Sequence, residues 1–379
     1  MVFSLEALRA RHGDSLLLHF GTTAKPSAVL IDGGPGAAWG ESVKPRLTEM
    51  RDGFKGLGRI EDGDPLPLEL VMVSHVDDDH IGGLLGMTDD LLRPTGDVLV
   101  EPKGLWHNAF EDLTKDEDGP AELAAVEPGH EAAAVLASVN QGRRLKSDAE
   151  QLGWKINSGF GNAKPRLVKA PEKGGKTVRL DSKTSLLVIA PRADQIEGLR
   201  KEWAEQLRKA QKGKAKPAQL AAYLDKSPYN LSSIVCLAKQ GAHSMLLTGD
   251  ARGDHVLDAL KAAGATKSGK LHVDILKLPH HGSIRNVEED FFQRITADHY
   301  VISANGRDGN PESETLELIA TARGKDKFAV HLTYGVGAGD LEARLKKFQK
   351  KHGQDPFTVA IRPAADLSLR IDLGDAPPV

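Results

Sequence analysis

The chain has one cysteine, Cys236, among 379 residues. A single thiol excludes an intrachain disulfide framework and any zinc site built from several cysteines. Cys236 lies in the apolar run Ser-Ser-Ile-Val-Cys-Leu-Ala, where a buried, inert thiol is expected. Long apolar runs are also missing. No stretch approaches the ~20 apolar residues of a membrane-spanning helix. The N-terminal residues lack an apolar core followed by a small-residue cleavage site, so no secretory signal is expected. These absences lead to the expectation of a cytoplasmic protein with no membrane partner. An excess of one charge is lacking too. Lys plus Arg number 50 and Asp plus Glu 53, a net charge of −3. That excludes a surface that is basic throughout, as a general nucleic-acid clamp needs, but not a local basic groove.

What the chain does have is length and histidine. Its length suits two or three average domains, or one large domain with an insertion. Fourteen histidines raise the question of whether any of them cluster.

Short apolar runs stopped by turn residues mark strands. Ser15–Phe20 ends at Gly-Thr-Thr, and Ala28–Ile31 at Asp32-Gly33-Gly34-Pro35. Residues 43–52 suit a helix, and Leu68–Val73 and Asp97–Glu101 suit strands. From about 105 to 225 the composition turns to alanine and charge with helical spacing, over Ala132–Ala137, Leu145–Leu152 and Gln195–Lys212. Strand candidates at Lys176–Asp181 and Ser185–Ala190 interrupt it, and 213–219 resembles a linker. Strands return at Ser233–Ala238, Ser244–Thr248, Ile275–Lys277 and His299–Ser303, with helices at Val256–Ala263 and Glu314–Arg323. The alternation argues for an α/β fold. The expectation is one domain over 1–379, interrupted at about 105–225 by a mainly helical insertion packed as a lid or cap.

Chemistry concentrates in three segments. His75, Asp77, Asp79 and His80 fall within six residues, directly after an apolar strand and before Ile81-Gly82-Gly83. If the strand runs on, 75, 77 and 79 point to one side, and a turn adds His80. Imidazole with carboxylate suits Zn²⁺, Mn²⁺ or iron. The second segment is Leu247-Thr248-Gly249-Asp250, and the third is Leu276-Lys277-Leu278-Pro279-His280-His281-Gly282-Ser283. Each puts a candidate ligand at the C-terminal end of a strand, where α/β sheets collect ligands. Any one alone is an ordinary turn; together, in order, they point to one site.

With these motifs the sequence resembles the metallo-β-lactamase fold superfamily, and within it the branch that contains the ComEC hydrolase domain. The signature of that branch, His-x-Asp-x-Asp-His-Ile-Gly-Gly, is matched from His75 to Gly83. Gly13-Asp14-Ser15, Asp32-Gly33-Gly34, Asn230-Leu-Ser-Ser233 before Gly249-Asp250, and the His280-His281-Gly282-Ser283 motif are matched as well. The resemblance covers about 1–100 and 228–312. It implies a four-layer αββα sandwich with a site for one or two divalent metal ions, Zn or Mn, at one edge.

The resemblance implies that His75 and Asp77 serve one ion. Asp79, His80 and one of His280 and His281 would serve the other, with Asp250 bridging. His280 is the favoured ligand of the pair, leaving His281 to contact substrate or donate a proton. Asp79 or Asp250 could orient an attacking water. The implied activity is phosphodiesterase or nuclease chemistry on DNA, RNA or a nucleotide; Lys277, Arg285 and Arg307 lie beside the motif segments and could offset phosphoryl charge, and Ser283, Asn305 and Asn310 are further expected substrate contacts. The superfamily's third-motif histidine is absent near Tyr229–Ser233, and Asn310 stands where the branch often has histidine. Asparagine can hydrogen-bond an oxyanion but cannot shuttle a proton at neutral pH.

Two other functions remain open: hydrolysis of an ester, lactone or thioester, which a nonpolar pocket near Trp106 and Trp154 would favour, and a catalytically weak metal-binding regulatory module. Lys201, Arg208, Lys209, Lys212, Lys214 and Lys216 form a basic stretch that could contact a nucleic-acid backbone. Asp32 could orient a ligating imidazole or simply stabilise its turn. His107 could approach the site from the insertion, whereas His130, His243, His255, His272, His331 and His352 read as surface or structural residues.

Overall fold

Alternation shapes the first strand, β1 (Val2–Leu8), in which Phe3, Leu5 and Ala7 enter one core and Leu8 another. The computed structural model describes residues 1–115, 130–211, 232–335 and 357–379, with positions 343, 347, 350 and 351. The linker-like 213–219, Lys212, Lys214, Lys216, Tyr229, Asn230 and His352 lie outside the described residues, as do the side chains of His130 and Lys209.

β1 pairs antiparallel with β2 (Leu16–Thr22), and β2 with β3 (Lys25–Ile31). β4 (Leu66–Leu68) stands aside, and β5 (Leu70–Met72) lies parallel to β3. β6 (Val100–Pro102) pairs with β4, while β7 (Gly104–Trp106) and β8 (Lys155–Ile156) extend the first sheet in parallel. The second sheet repeats the change of mode. β9 (Lys176–Arg179), β10 (Thr184–Ala190), β11 (Val235–Gln240) and β12 (His243–Leu247) are antiparallel neighbours. β13 (Leu271–Lys277), β14 (Ile295–Ile302), β15 (Phe328–Leu332) and β16 (Phe357–Ile361) continue it in parallel. β17 (Ser368–Asp372) returns to pair antiparallel with β1.

Helices cover the outer faces. α1 (Lys44–Gly56), α2 (Asp78–Leu92) and α3 (His130–Gln151) set Leu47, Leu84 and Leu145 against Leu17, Leu30 and Val71 of the first sheet. α4 (Ala193–Gln211) packs Ile196 and Leu199 on Leu113 and Leu167. α5 (Gly253–Ala262) and α6 (Ser313–Arg323) set Val256, Leu260 and Ile319 against Leu246, Leu276 and Tyr300 of the second sheet. Between the sheets, Phe3, Leu18, Phe20 and Trp106 meet Val188, Cys236, Met245 and Ile275. Fully burying such a side chain contributes roughly 1.5–3 kcal/mol each, so the two sheets stabilise each other. The order is helix, sheet, sheet, helix, the four-layer α/β sandwich expected. Among the described residues no helix is long and apolar enough to cross a membrane.

The stretch at 105–225 departs from the expected helical insertion. β8 belongs to the first sheet, and β9 and β10 to the second. Leu186 and Val188 enter the core between the sheets. The long helices α3 and α4 dominate the composition of this stretch and mask the fact that its strands are framework.

Candidate metal centre

Glycine turns bring the site together. A Cβ on Gly83 would lie 1.9 Å from the Gly33 carbonyl oxygen, and one on Gly33 would lie 2.5 Å from the Leu84 nitrogen. No other residue fits so close a contact. The turn after β3 therefore seats on the start of α2, where Gly33 N–H donates to the His80 carbonyl at 2.7 Å. On the far side, a Cβ on Gly13 would lie 1.8 Å from the Asp79 carbonyl oxygen.

The four clustered residues do not extend a strand, which corrects the expected alternation. β5 ends at Met72 and α2 begins at Asp78. Asp77 is the N-cap residue, and Asp79 and His80 lie in the first helical turn. Consecutive aspartates favour a helix N-terminus, because they complement its partial positive charge.

Each imidazole is held from behind through Nδ1. His80 Nδ1 donates to Asp32 Oδ2 at 2.9 Å, and His75 Nδ1 lies 3.0 Å from Ser74 Oγ. Ser74 Oγ in turn donates to Asp32 Oδ2 at 2.7 Å. His281 Nδ1 donates to the Ser303 carbonyl at 2.8 Å, and His280 Nδ1 lies 2.8 Å from Asn286 Oδ1. Outer partners of this kind fix the ring and its tautomer, leaving Nε2 to ligate. Asp32 is thus both a turn residue, at φ 57°, and an acceptor for His80.

The Nε2 atoms face carboxylates. Asp250, just beyond β12, lies 3.4 Å from His80 Nε2, 3.8 Å from His75 Nε2, and 3.7 Å from both His280 and His281 Nε2. Asp79 Oδ2 is 3.2 Å from His281 Nε2 and 3.9 Å from His80 Nε2, and Asp77 Oδ2 is 3.3 Å from His75 Nε2. Two groups can hold an ion: His75, His80 and Asp250, and Asp79, His80 and His281, each with ligand atoms within 4.8 Å of one another. A third, Asp14, Asp32 and His80, is already committed, since Asp14 pairs with Lys277 and Asp32 accepts from Ser74 and His80.

The donors fit a divalent ion on one further observation. His75 Nε2, His80 Nε2 and Asp250 Oδ1 are buried and make no hydrogen bond. Each such orphan costs about 1–3 kcal/mol, and a shared cation would satisfy all three. The electrostatics agree. Burial alone lowers the His80 pKa, but Asp250, Asp79 and Asp32 outweigh it and hold the pKa well above its ordinary value. For His281, burial is outweighed by Asp250 and Asp14, and the pKa rises to about 10. Burial raises the Asp250 pKa, yet His80, His280 and His281 hold it well below the usual carboxylate range. A metal binding here would displace protons.

The other expected site residues fare unevenly. His281, not the favoured His280, completes the group with Asp79 and His80, and His280 sits at the edge with its side chain 37% exposed. Both adopt left-handed backbone, at φ 46° and 56°, a local turn that aims both rings towards Asp250. Lys277 cannot be a substrate contact: its Nζ is buried 2.6 Å from Asp14 Oδ2 and donates to the Leu278 carbonyl. Ser283 is buried, and its N–H donates to the His280 carbonyl at 2.9 Å, so it shapes the turn. Asn310 is also buried, with Nδ2 3.5 Å from the His280 carbonyl. Asn305 Oδ1 accepts from the Arg307 N–H at 3.0 Å, and Arg307 is exposed beside His12. His107 is a buried structural residue whose Nε2 donates to the Gly142 carbonyl at 3.0 Å. Sequence reading missed Ser74, Asn286, Ser303 and His12, which carry no motif of their own.

No known family model matches the chain. Among known proteins it is similar to microtubule-associated protein 1A. Identity to the Rattus norvegicus protein is 26% over 165 residues, 38% of this chain and 6% of that protein. For the Homo sapiens protein it is 26% over 191 residues, 44% of this chain and 7% of that protein. The chain therefore spans less than a tenth of the length of these relatives. Among solved structures, one from Parabacteroides distasonis, named as a metal-dependent hydrolase, shares 11% identity at TM-score 0.35, over 94% of this chain and 92% of that one. A variant of the CmlA β-hydroxylase shares 12% identity at TM-score 0.37, over 97% of this chain and 54% of that one.

Proposed function

We propose that the chain is a metal-dependent hydrolase that cleaves phosphodiesters in a nucleic acid or nucleotide. One ion, zinc or manganese, would be held by His75, His80 and Asp250 with Asp77 beside it; a second would fall to Asp79 and His281, since the single free Nε2 of His80 serves only one ion. The observation that carries this reading is the convergence of three buried, unpartnered atoms, His75 Nε2, His80 Nε2 and Asp250 Oδ1. A bound divalent ion would lower the pKa of a water and polarise the scissile bond.

The chain's own residues supply the rest. Asp32, Ser74 and Ser303 lock the imidazoles through Nδ1. Asp79, whose side chain is 25% exposed, can orient the attacking water. His280, at the open edge, can donate a proton to the leaving group. Arg307 and Asn305 at the rim can meet the charge that develops on a phosphoryl group.

The ester or lactone reading loses the feature that would favour it. Trp106 is buried between the sheets, edge-on to Phe160 at 4.9 Å, and Trp154 packs against the outer core of the first sheet. The test is turnover of the zinc- or manganese-loaded protein on bis-p-nitrophenyl phosphate, single-stranded DNA and a lactone panel. Phosphodiester cleavage that disappears in Asp79→Ala is expected. Cleavage of lactones alone overturns the substrate class, and metal binding without any turnover favours a regulatory module.

A further inference from the structure

We propose that His12 is a positioning residue, which holds Arg307 at the rim of the cluster so that its guanidinium grips a phosphoryl oxygen of the substrate. The inference rests on the phosphodiester reading above. His12 directly precedes Gly13, whose backbone is wedged between the two halves of the site. Gly13 meets the Asp79 carbonyl too closely for any side chain, and its own carbonyl accepts from Ser303 Oγ at 2.7 Å. The Ser303 carbonyl in turn accepts from His281 Nδ1. The half-buried ring at position 12 is therefore fixed relative to both Asp79 and His281 through short, buried links.

Arg307 stands on the loop after β14. Its Nη1 lies 3.2 Å from His12 Nε2 and 3.4 Å from Nδ1. Nearly equal distances to the two ring nitrogens place Nη1 against the ring rather than along one lone pair, a cation-on-ring contact that a neutral imidazole favours. Burial lowers the His12 pKa and Arg307 lowers it further, against the pull of Asp79. Among the described residues no carboxylate lies within ion-pair distance of Arg307. Arg11, Arg46 and Arg252, by contrast, are each paired with an acid. Beside a cluster rich in carboxylates, one guanidinium is thus held by a neutral ring. Its charge stays uncompensated and its remaining N–H groups are free to bind an anion bidentately. An exposed arginine loses side-chain freedom when it binds, and resting its guanidinium on the ring in advance reduces that loss.

Inorganic phosphate binding to the zinc-loaded chain, measured by calorimetry, tests this alongside kinetics on bis-p-nitrophenyl phosphate. Arg307→Ala should weaken phosphate binding about tenfold or more, the effect of losing one charged hydrogen bond. His12→Ala should raise KM severalfold with kcat little changed, and should have no further effect in the Arg307→Ala background. His12→Phe, which keeps a flat ring for the guanidinium, should restore most of the affinity. Each variant should keep the parent's zinc content and thermal midpoint. If His12→Ala binds phosphate like the parent while Arg307→Ala does not, the role of His12 is overturned. The same holds if His12→Phe is no better than His12→Ala. If Arg307→Ala binds like the parent, the whole inference falls. A parent that binds no phosphate and cleaves only lactones instead fails the functional reading itself.

Discussion

Two of the buried charge clusters among the described residues are built in opposite ways. In the first, on the outer face of β1 and β2, Glu6 accepts from His19 at 2.7 Å, from Arg46 at 2.6 and 3.3 Å, and from Ser368. Neither Glu6 oxygen is left without a partner. In the second, around Asp250, three buried atoms make no hydrogen bond although four imidazoles converge there. Burying charge is costly unless it is paired and hydrogen-bonded. The Glu6 cluster meets that condition with the chain's own groups, as a structural ion pair must. The Asp250 cluster meets it only when something else arrives. The difference marks the Asp250 cluster as the candidate site without reference to any other protein.

The comparison can be broken at either cluster. The largest effect is expected for His80→Ala and Asp250→Ala, which should abolish stoichiometric zinc binding and all turnover, read by metal analysis and by the phosphodiester assay. Retained turnover in either would refute the site. Next, Glu6→Gln should destabilise the fold by about 3–5 kcal/mol in a denaturant titration, because it leaves Arg46 buried without its carboxylate. Metal content should not change. The pH dependence of that loss has a definite sign. Burial raises the Glu6 pKa, but His19 and Arg46 outweigh it and hold it well below its ordinary value. The pair's contribution is therefore fully present above about pH 4.3 and is lost as pH falls from there towards the depressed folded value. The stability gap between parent and Glu6→Gln should narrow over that acid window and stay constant above it. Zinc at a hundredfold excess over its dissociation constant should stabilise the parent by about 2.7 kcal/mol, seen as a raised thermal midpoint that a chelator reverses. Glu6→Gln should keep this increment, and His80→Ala should not. The smallest effect is expected for Asp32→Ala, which removes the partner of His80 Nδ1 and should weaken zinc binding about 10–100-fold in a competition titration with a chelating dye.

The segments that converge at the candidate site were legible in the sequence because their chemistry is local. His75 to His80, Asp250 and His280-His281 are short runs that each end a buried strand. The choice between His280 and His281 was not legible, since it depends on two consecutive left-handed residues that no periodicity encodes. Lys277 reads as a cation beside the site, and only the fold turns it inward onto Asp14, 263 positions earlier in the chain. β1 was overlooked, although it alternates, because its antiparallel partners are β2 and the distant β17. β15, β16 and β17 were overlooked as well: five-residue strands with mixed burial look like loops until neighbours are in place.

Zinc content and affinity, measured side by side on the parent, His80→Ala and Glu6→Gln, test the central claim most directly. The account predicts stoichiometric zinc in the parent and in Glu6→Gln, and none in His80→Ala. A parent that binds no divalent metal, or a His80→Ala protein that binds it as the parent does, would contradict it.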